Sequence, residues 1–489
     1  MSPAQELDAV VVGSGPNGLA AAVTLAAAGL GVRVYEGADD VGGGCRTSPL
    51  TLPGYVHDVC SAVHPMASVS PFFTAFDLAG RIDLRVPEVA YAHPLDGGRA
   101  GALYRDVERT AEGLGVDAGT YRRLMEPLVR AAPDLVPLML APPLRALPRD
   151  LPGTAAMAYA SLRLVGDGVA RTFRTDEARG LITGSAAHAL QPLRRLATAP
   201  FGLLLTFLAH ATGWPLPRGG SRAITDSLAD ALRTMGGEIV VGEPVTDLRE
   251  LPRARAVLLD LSPRQFLELA GSGLPSAYAA ALRRFEPGGG VCKVDYALSE
   301  PVPWAADACR RAGTVHVGGT WDEVSTAMDE VTAGRHPRRP FVLAAQPSLV
   351  DDTRAPAGRH VLWAYCGVPT GSAVDVSDRI DAQIERFAPG FRDVVLDRRV
   401  RTAREYEAYN PAYTGGDFTG GAATVRQLLF RPAPRWDPYP TPLPSVFLCS
   451  SSTSPGGGVH GMCGYQSARS ALRRRFGIRD VPDLANAGR

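Results

Sequence analysis

Gly13-Ser14-Gly15-Pro16-Asn17-Gly18 has the glycine spacing of a turn that takes a dinucleotide pyrophosphate. The first glycine permits a sharp turn, the second lets backbone approach the phosphates, and the third brings strand and helix together. A helix beginning at Pro16 and Asn17 aims unpaired amides and a positive dipole end at the same anion. Glu36 stands at the end of the next predicted strand, where a carboxylate accepts from both ribose hydroxyls. Together these residues predict an adenine dinucleotide site. His57-Asp58 and His64 have no metal-site spacing. The cysteines at 45, 60, 292, 309, 366, 449 and 463 include no C-x-x-C pair, so neither zinc nor a redox-active dithiol is expected. Lys293 is the single lysine among 51 basic residues, which suggests a position that requires a compact ammonium and not a planar fork.

The elements that must position these groups follow from local pattern. A valine-rich run, Leu7 to Val12, precedes the turn, an alanine-rich helix over Pro16 to Ala28 follows it, and Val32 to Glu36 reads as a second strand. This β-α-β order predicts a parallel pair with a right-handed crossover. From about 85 to 217 amphipathic helices separated by prolines are expected, with apolar stretches at Leu135 to Leu151 and Phe201 to Leu208. The α/β pattern returns with a helix capped by Ser221 and running through Met235, then strands at Glu238 to Val241 and Ala256 to Leu261. Val291 to Leu298 and Phe341 to Ala345 suggest a mixed sheet. A last strand, Ser445 to Ser450, runs into a glycine-rich turn and a helix through Arg475. The expected fold class is α/β: a discontinuous Rossmann-type dinucleotide-binding domain over 1–85, 218–275 and 440–489, with an inserted α+β substrate domain over 86–217 and 276–439.

With 489 residues the chain exceeds what one core normally serves, consistent with two joined domains. Its 51 basic and 50 acidic residues leave no electrostatic footprint for nucleic acid. No signal-like segment precedes the first strand and no run of about eighteen apolar residues occurs, so a cytoplasmic enzyme is expected.

Val41-Gly42-Gly43-Gly44-Cys45-Arg46-Thr47, Pro217-Arg218-Gly219-Gly220-Ser221, Gly242-Glu243-Pro244-Val245 and Pro455-Gly456-Gly457-Gly458-Val459-His460-Gly461 occur in an order that resembles the phytoene-desaturase-like branch of the amine oxidase superfamily. That branch includes carotenoid desaturases and isomerases, retinol saturase and a subgroup named for a pyridine nucleotide-disulfide oxidoreductase domain. The resemblance spans nearly the whole chain. It implies FAD as cofactor, held by Gly13, Gly15, Pro16, Asn17, Gly18, Glu36, Gly43, Gly44, Arg46, Val245, Gly457, Gly458 and Val459. Many members carry an arginine directly after the glycine pair; here Gly44 holds that place and Arg46 lies two positions on, so backbone amides are expected to dominate the phosphate cradle.

The resemblance also implies hydride exchange between flavin N5 and a long apolar isoprenoid or polyene, with oxygen or a quinone as electron acceptor. Lys293 matches the strand on which amine oxidases place a lysine beside N5, and His460 is a candidate proton donor in the closing loop. Cys449 and Cys463 flank that loop as free thiols, a flavin thioether being the alternative. Trp363, Tyr365, Tyr406, Tyr409 and Tyr413 are candidates for an aromatic wall. A redox-neutral polyene isomerase, and a flavoprotein without turnover acting as a membrane-surface or complex subunit, are the alternatives. Peripheral membrane contact is expected at Leu135 to Leu151 with Arg145 and Arg149.

Overall fold

The structure, a computed structural model, describes residues 7–480 and 482–488. In chain order the strands of its two large sheets are β1 (Leu7–Val12), β2 (Val32–Tyr35), β3 (Val89–Leu95), β4 (Arg99–Tyr104), β5 (Glu238–Val240), β6 (Ala254–Leu259), β7 (Gly290–Leu298), β8 (Ala312–Val317), β9 (Val342–Ala345), β10 (His360–Val368), β11 (Val395–Arg401) and β12 (Val446–Leu448). The first sheet has the order β12-β6-β1-β2-β5, with every neighbouring pair parallel. It gathers strands from the N-terminal, central and C-terminal parts of the chain, as an α/β fold of this class requires. Apolar residues from both faces are buried: Ala9 and Val11 join the largest core, while Val10 and Val12 join a smaller one with Phe266 and Leu448.

The crossover helix α1 (Pro16–Ala26) is wholly buried beyond its first residue. It stops two residues short of the sequence expectation because Gly29, at φ +80°, turns the chain back toward β2. The second sheet, β11-β7-β10-β9-β8-β3-β4, is antiparallel except where β8 lies beside β3. Strand alternation sorts its side chains. Val315, Val342, Leu362 and Val294 enter one core, whereas Leu343, Trp363, Tyr365 and Val291 enter the other.

Helices α2 (Ala118–Met139), α3 (Leu151–Leu164), α4 (Asp176–Ala187) and α5 (Thr198–Ala211) cover the second face. The expectation that prolines separate these helices fails in α2, which runs through Pro127, Pro133 and Pro137. Each interior proline costs a helix about 3 kcal/mol. The buried stripe of Tyr121, Leu124, Met125, Leu128, Ala131, Ala132, Leu135 and Val136 outweighs that penalty, and Pro133 and Pro137 face outward.

Helix α6 (Arg222–Thr234) forms where expected, but Ser221 does not cap it. Its hydroxyl donates to the Ser61 carbonyl at 2.6 Å and meets His64 Nε2 at 2.7 Å, and its N–H donates to Asp58 Oδ1 at 2.8 Å. Asp58 is clasped further by Arg354, whose Nη2 lies 2.5 Å from Asp58 Oδ2 and whose Nε lies 2.9 Å from Asp351 Oδ2. These side chains are sealed from solvent and join the segment after β2 to the loop before β10. Helix α7 (Met462–Ala471) closes the chain against α1. A Cβ on Gly464 would lie 1.8 Å from the Asn17 carbonyl, so only glycine permits that approach.

Candidate functional site

A cavity of 970 Å³ opens beyond the C-terminal ends of β1, β2 and β6, where parallel α/β sheets bind ligands. Every residue expected to hold the cofactor lines it except Gly18. Gly18 lies beneath the turn: a Cβ there would be 2.0 Å from the Gly13 carbonyl, and its N–H donates to Asp260 Oδ2 at 2.9 Å. Gly13 sits at φ +98°, and a Cβ on Gly43 would come within 2.9 Å of Gly15 Cα. Backbone is thus exposed to a ligand where side chains would fill the space. Among the described residues no protein group accepts from the N–H groups of Gly15 or Asn17, nor from those of Gly457, Gly458 and Val459. Unpaired amides at the N-terminus of α1 and in a glycine loop opposite suit an anionic dinucleotide.

Glu36 follows β2. Its Oε2 accepts from the Ser14 N–H at 2.9 Å and hydroxyl at 2.6 Å, and its Oε1 accepts from the Ala38 N–H at 2.9 Å. Arg46 Nη2 lies 3.2 Å from Oε1, and the same guanidinium donates twice to the Asp40 carbonyl. The departure at Gly44 has a steric cause: a Cβ there would lie 2.7 Å from the Tyr413 hydroxyl and 4.0 Å from Cys60 Sγ. Tyr413 occupies the room that a side chain at 44 would need. Val245 lies in an extended loop just after β5, not in a strand, and lines the cavity.

Asp260, at the end of β6, has no counterpart in the sequence reading. It faces the underside of the glycine turn, close enough that a Cβ on Gly15 would stand 2.9 Å from its Oδ2. Burial pushes its carboxyl up to about 7, against the pull of the Gly18 N–H, and the Glu36 charge adds to the rise. No motif marks it, since its partner is 242 residues away.

The structure places Lys293 behind the cavity wall. Its ammonium is paired with Asp295, lies 5.5 Å from the centre of the Trp363 ring, and is 1% exposed. His57 Nδ1 approaches the same carboxylate at 3.6 Å. Burial lowers the Lys293 pKa and raises that of Asp295, each shift opposed by the partner. His460 is likewise off the cavity. Its Nδ1 accepts from the Met462 N–H at 3.0 Å and its Nε2 meets the Gly456 carbonyl at 3.2 Å, while burial lowers its pKa to about 4. With both nitrogens engaged it braces the closing loop and has no nitrogen open for the expected proton transfer. Cys449 and Cys463 are buried free thiols, as are the other five cysteines. Among the described residues no set of His, Cys, Asp or Glu side chains gathers as metal ligands.

Of the expected aromatics, Trp363, Tyr365, Tyr409 and Tyr413 line the cavity, whereas Tyr406 is buried behind them with its hydroxyl on the Val59 carbonyl. Trp363 meets Tyr365 edge-on at 5.2 Å, and Tyr365 meets Phe418 edge-on at 5.1 Å. Phe201, Leu205, Trp214 and Leu343 extend this lining, so an apolar chamber adjoins the glycine-lined groove within one cavity.

The family model for flavin containing amine oxidoreductases matches residues 17–471. A protein of Rattus norvegicus, pyridine nucleotide-disulfide oxidoreductase domain-containing protein 2, is 26% identical over 96% of this chain and 94% of its own length. The phytoene dehydrogenase of Streptomyces griseus is 27% identical over 79% of this chain and 77% of its own. The solved structure of cyclohexylamine oxidase from Brevibacterium oxydans shares the fold, with a TM-score of 0.60 and 17% identity over 96% of this chain and 99% of that one.

The placement of Asp260 predicts a pH signature. Its pKa is about 7 in the native chain against an ordinary 3.8, so the native state holds an extra proton between those values and stability falls as pH rises through that window. Asp260→Asn keeps an acceptor for the Gly18 N–H and removes the slope. Thermal unfolding should show the variant matching the parent near pH 4 and exceeding it by on the order of 1–3 kcal/mol near pH 8; a pH-independent difference would refute the assignment. For the buried ion pair, Lys293→Met leaves Asp295 alone and should cost roughly 3–5 kcal/mol in urea unfolding, most of it recovered in a Lys293→Met, Asp295→Met double variant. Simple additivity of the two losses would mean that the pair does not interact.

Proposed function

Because the chain belongs to the flavin-containing amine oxidoreductase family and is an FAD-dependent oxidoreductase, we propose that it acts as a desaturase or dehydrogenase on a long apolar small molecule, of isoprenoid or polyene type. The observation that carries this reading is the chamber of Phe201, Leu205, Trp214, Leu343, Tyr365 and Phe418, continuous with the closing loop at Gly457 to Val459. Bound FAD supplies the hydride acceptor, chemistry that no side chain offers. The glycine turn and the closing loop present amides to the cofactor. Trp363, Tyr365 and Phe418 exclude water and orient the chain of the substrate. Lys293, held by Asp295, stiffens the wall beneath Trp363 as a positioning residue.

An ammonium group would be drawn to an aromatic cage or to a free anion in the chamber. Asp417 lines it, but its carboxylate accepts from the N–H groups of Gly288, Thr419 and Gly421 and from the Thr419 hydroxyl, at 2.5–2.8 Å. Oxygen or a quinone serves as electron acceptor in this reading, and steady consumption of acceptor separates desaturation from redox-neutral isomerisation. Under anaerobic conditions phytoene or a shorter acyclic polyprene should bleach the flavin absorbance, and an acceptor should restore it. Bleaching by putrescine or cyclohexylamine, and by no polyprene, would overturn the proposal.

Such a substrate partitions into lipid. Among the described residues no helix is long and apolar enough to cross a membrane. The stretch expected to touch one divides: Leu135 and Val136 are buried in α2, while Leu147 and Leu151 are 84% and 67% exposed and are continued along α3 by Tyr159 and Leu162. We propose this outer stripe as a peripheral membrane contact. Wild-type protein should sediment with phosphatidylcholine vesicles, and Leu147→Asp with Leu151→Asp should abolish this without loss of flavin; undiminished sedimentation would exclude the stripe.

A further inference from the structure

The apolar chamber contains a polar corner that a hydrocarbon cannot satisfy. On β8, Val315 and Val317 enter the opposite core, so Thr314 and His316 face the chamber side of the sheet. Thr314 lines the cavity, is buried, and its hydroxyl has no partner. A buried hydroxyl left without a partner forfeits the hydrogen bonds it would make in water. Beside it, His316 Nε2 lies 2.9 Å from Nε2 of His188, and His188, just after α4, lines the cavity. The arrangement is built in. A Cβ on Gly184 would stand 2.3 Å from His316 Nδ1, and one on Gly180, a turn earlier, would stand 2.6 Å from the ring of His93. Two glycines on one face of α4 therefore make room for two buried histidines.

The protons in this cluster follow from its geometry. His316 Nδ1 is enclosed without a partner, so a proton there would be an orphaned buried donor, the rarest kind of unsatisfied group. The proton of His316 belongs on Nε2, donated to His188 Nε2. His188 then carries its own proton on Nδ1, which finds no hydrogen-bond partner among the described residues. Burial drives both rings toward the neutral form, His188 to about 3 and His316 well below its ordinary value. The corner therefore offers one N–H donor, on His188, and one hydroxyl, on Thr314, and among the described residues no charged side chain acts on either imidazole to balance an anion. The phenol of Tyr91, packed on His316 at 4.7 Å, is already occupied by Ser185 at 2.7 Å.

We propose that the substrate is an apolar chain bearing a neutral oxygen function, an alcohol or a carbonyl, and that His188 and Thr314 recognise that oxygen as specificity-determining residues. This rests on the apolar-substrate reading and narrows it. The acceptor lone pairs of the oxygen take the His188 N–H, and the Thr314 hydroxyl donates to a carbonyl or accepts from an alcohol. A carboxylate is disfavoured, because burying its charge beside two neutral imidazoles is uncompensated.

The test titrates the FAD-loaded protein with four ligands of one chain length: geranylgeraniol, geranylgeranial, geranylgeranic acid and the corresponding hydrocarbon. Binding is read from the perturbation of the flavin absorption spectrum. Alcohol or aldehyde should bind at least about tenfold tighter than hydrocarbon and acid. Thr314→Val and His188→Phe should each remove most of that preference while hydrocarbon affinity is retained, and Thr314→Ser should preserve it. Flavin content and unfolding midpoint confirm that the variants fold. Equal binding of all four ligands, tightest binding of the acid, or a preference that survives the double variant would overturn the inference and leave the apolar-substrate reading intact. Failure of every ligand to bind would remove both.

Discussion

The hydrogen bond from the Gly18 N–H to Asp260 fixes the place where three separate passes of the chain must meet. It fastens the turn after β1 to the end of β6, and the Asp260 N–H in turn donates to the Val12 carbonyl at 2.8 Å. The end of β12 joins through Cys449 N–H to the Leu259 carbonyl at 2.9 Å. With these ends level, the loop beyond β12 lies across from the turn, and α7 can press on α1 at Gly464. The groove for the cofactor is the space left between them. An isolated carboxylate is an unfavourable choice at a site meant for a phosphate, and it is tolerable because its raised pKa lets it remain neutral over part of the physiological range.

The groove was legible because its grammar is local. The turn from Gly13 to Gly18, the strand before it and Glu36 lie within thirty residues, and backbone geometry alone demands glycine at those spacings. Asp260 and Gly464 were not legible, since each acts on a partner hundreds of residues away and neither belongs to a periodic pattern; Tyr413 was legible as an aromatic candidate, but not its approach to Gly44. Ser221 shows a subtler failure. A serine before a helix has a strong capping preference, yet its hydroxyl is drawn to Ser61 and His64, and its N–H to Asp58, partners more than 150 residues away. Lys293 was visible as a lone lysine, but its placement behind the cavity wall depends on Asp295 and on the register of β7 with β10, which sequence does not print. The apolar stretches were legible only as apolar; that Phe201 and Leu205 reach the cavity, while no residue from Leu135 to Leu151 does, depends on the packing of the helices.

That sheet has one conventional face and one unusual face. On the conventional side alternate residues are small and aliphatic. On the other, polar groups stand at inward positions: His93, Thr314 and His316 toward one edge, and Lys293 and Asp295 toward the opposite edge. Trp363 and Leu343 lie on the strands between. Buried ion pairs such as Lys293 with Asp295 and Arg354 with Asp58 are weak sources of net stability against apolar replacements. What they provide here is fixed geometry: removing any one member strands a charge, so the aromatic wall above them resists rearrangement.

The substitution of Gly44 for an arginine belongs to the same economy of space. Tyr413 brings its hydroxyl into the volume that a side chain at 44 would require, next to Cys60, and Tyr413 and Cys60 both line the cavity. Arg46, displaced by two residues, still lines the cavity, with its guanidinium held by Glu36 and the Asp40 carbonyl. The groove keeps its amides beside that tethered guanidinium, while the chamber side gains a tyrosine and a thiol whose pKa burial pushes up to about 11, so that it remains neutral. For the apolar ligand proposed above, a neutral, crowded boundary between groove and chamber keeps water from the point where the chain would approach the cofactor. Under the proposed reading, the departure from the usual motif trades a side chain at 44 for a tyrosine and a neutral thiol at this boundary, and the carboxylate that does line the chamber, Asp417, is held by the N–H groups of Gly288, Thr419 and Gly421.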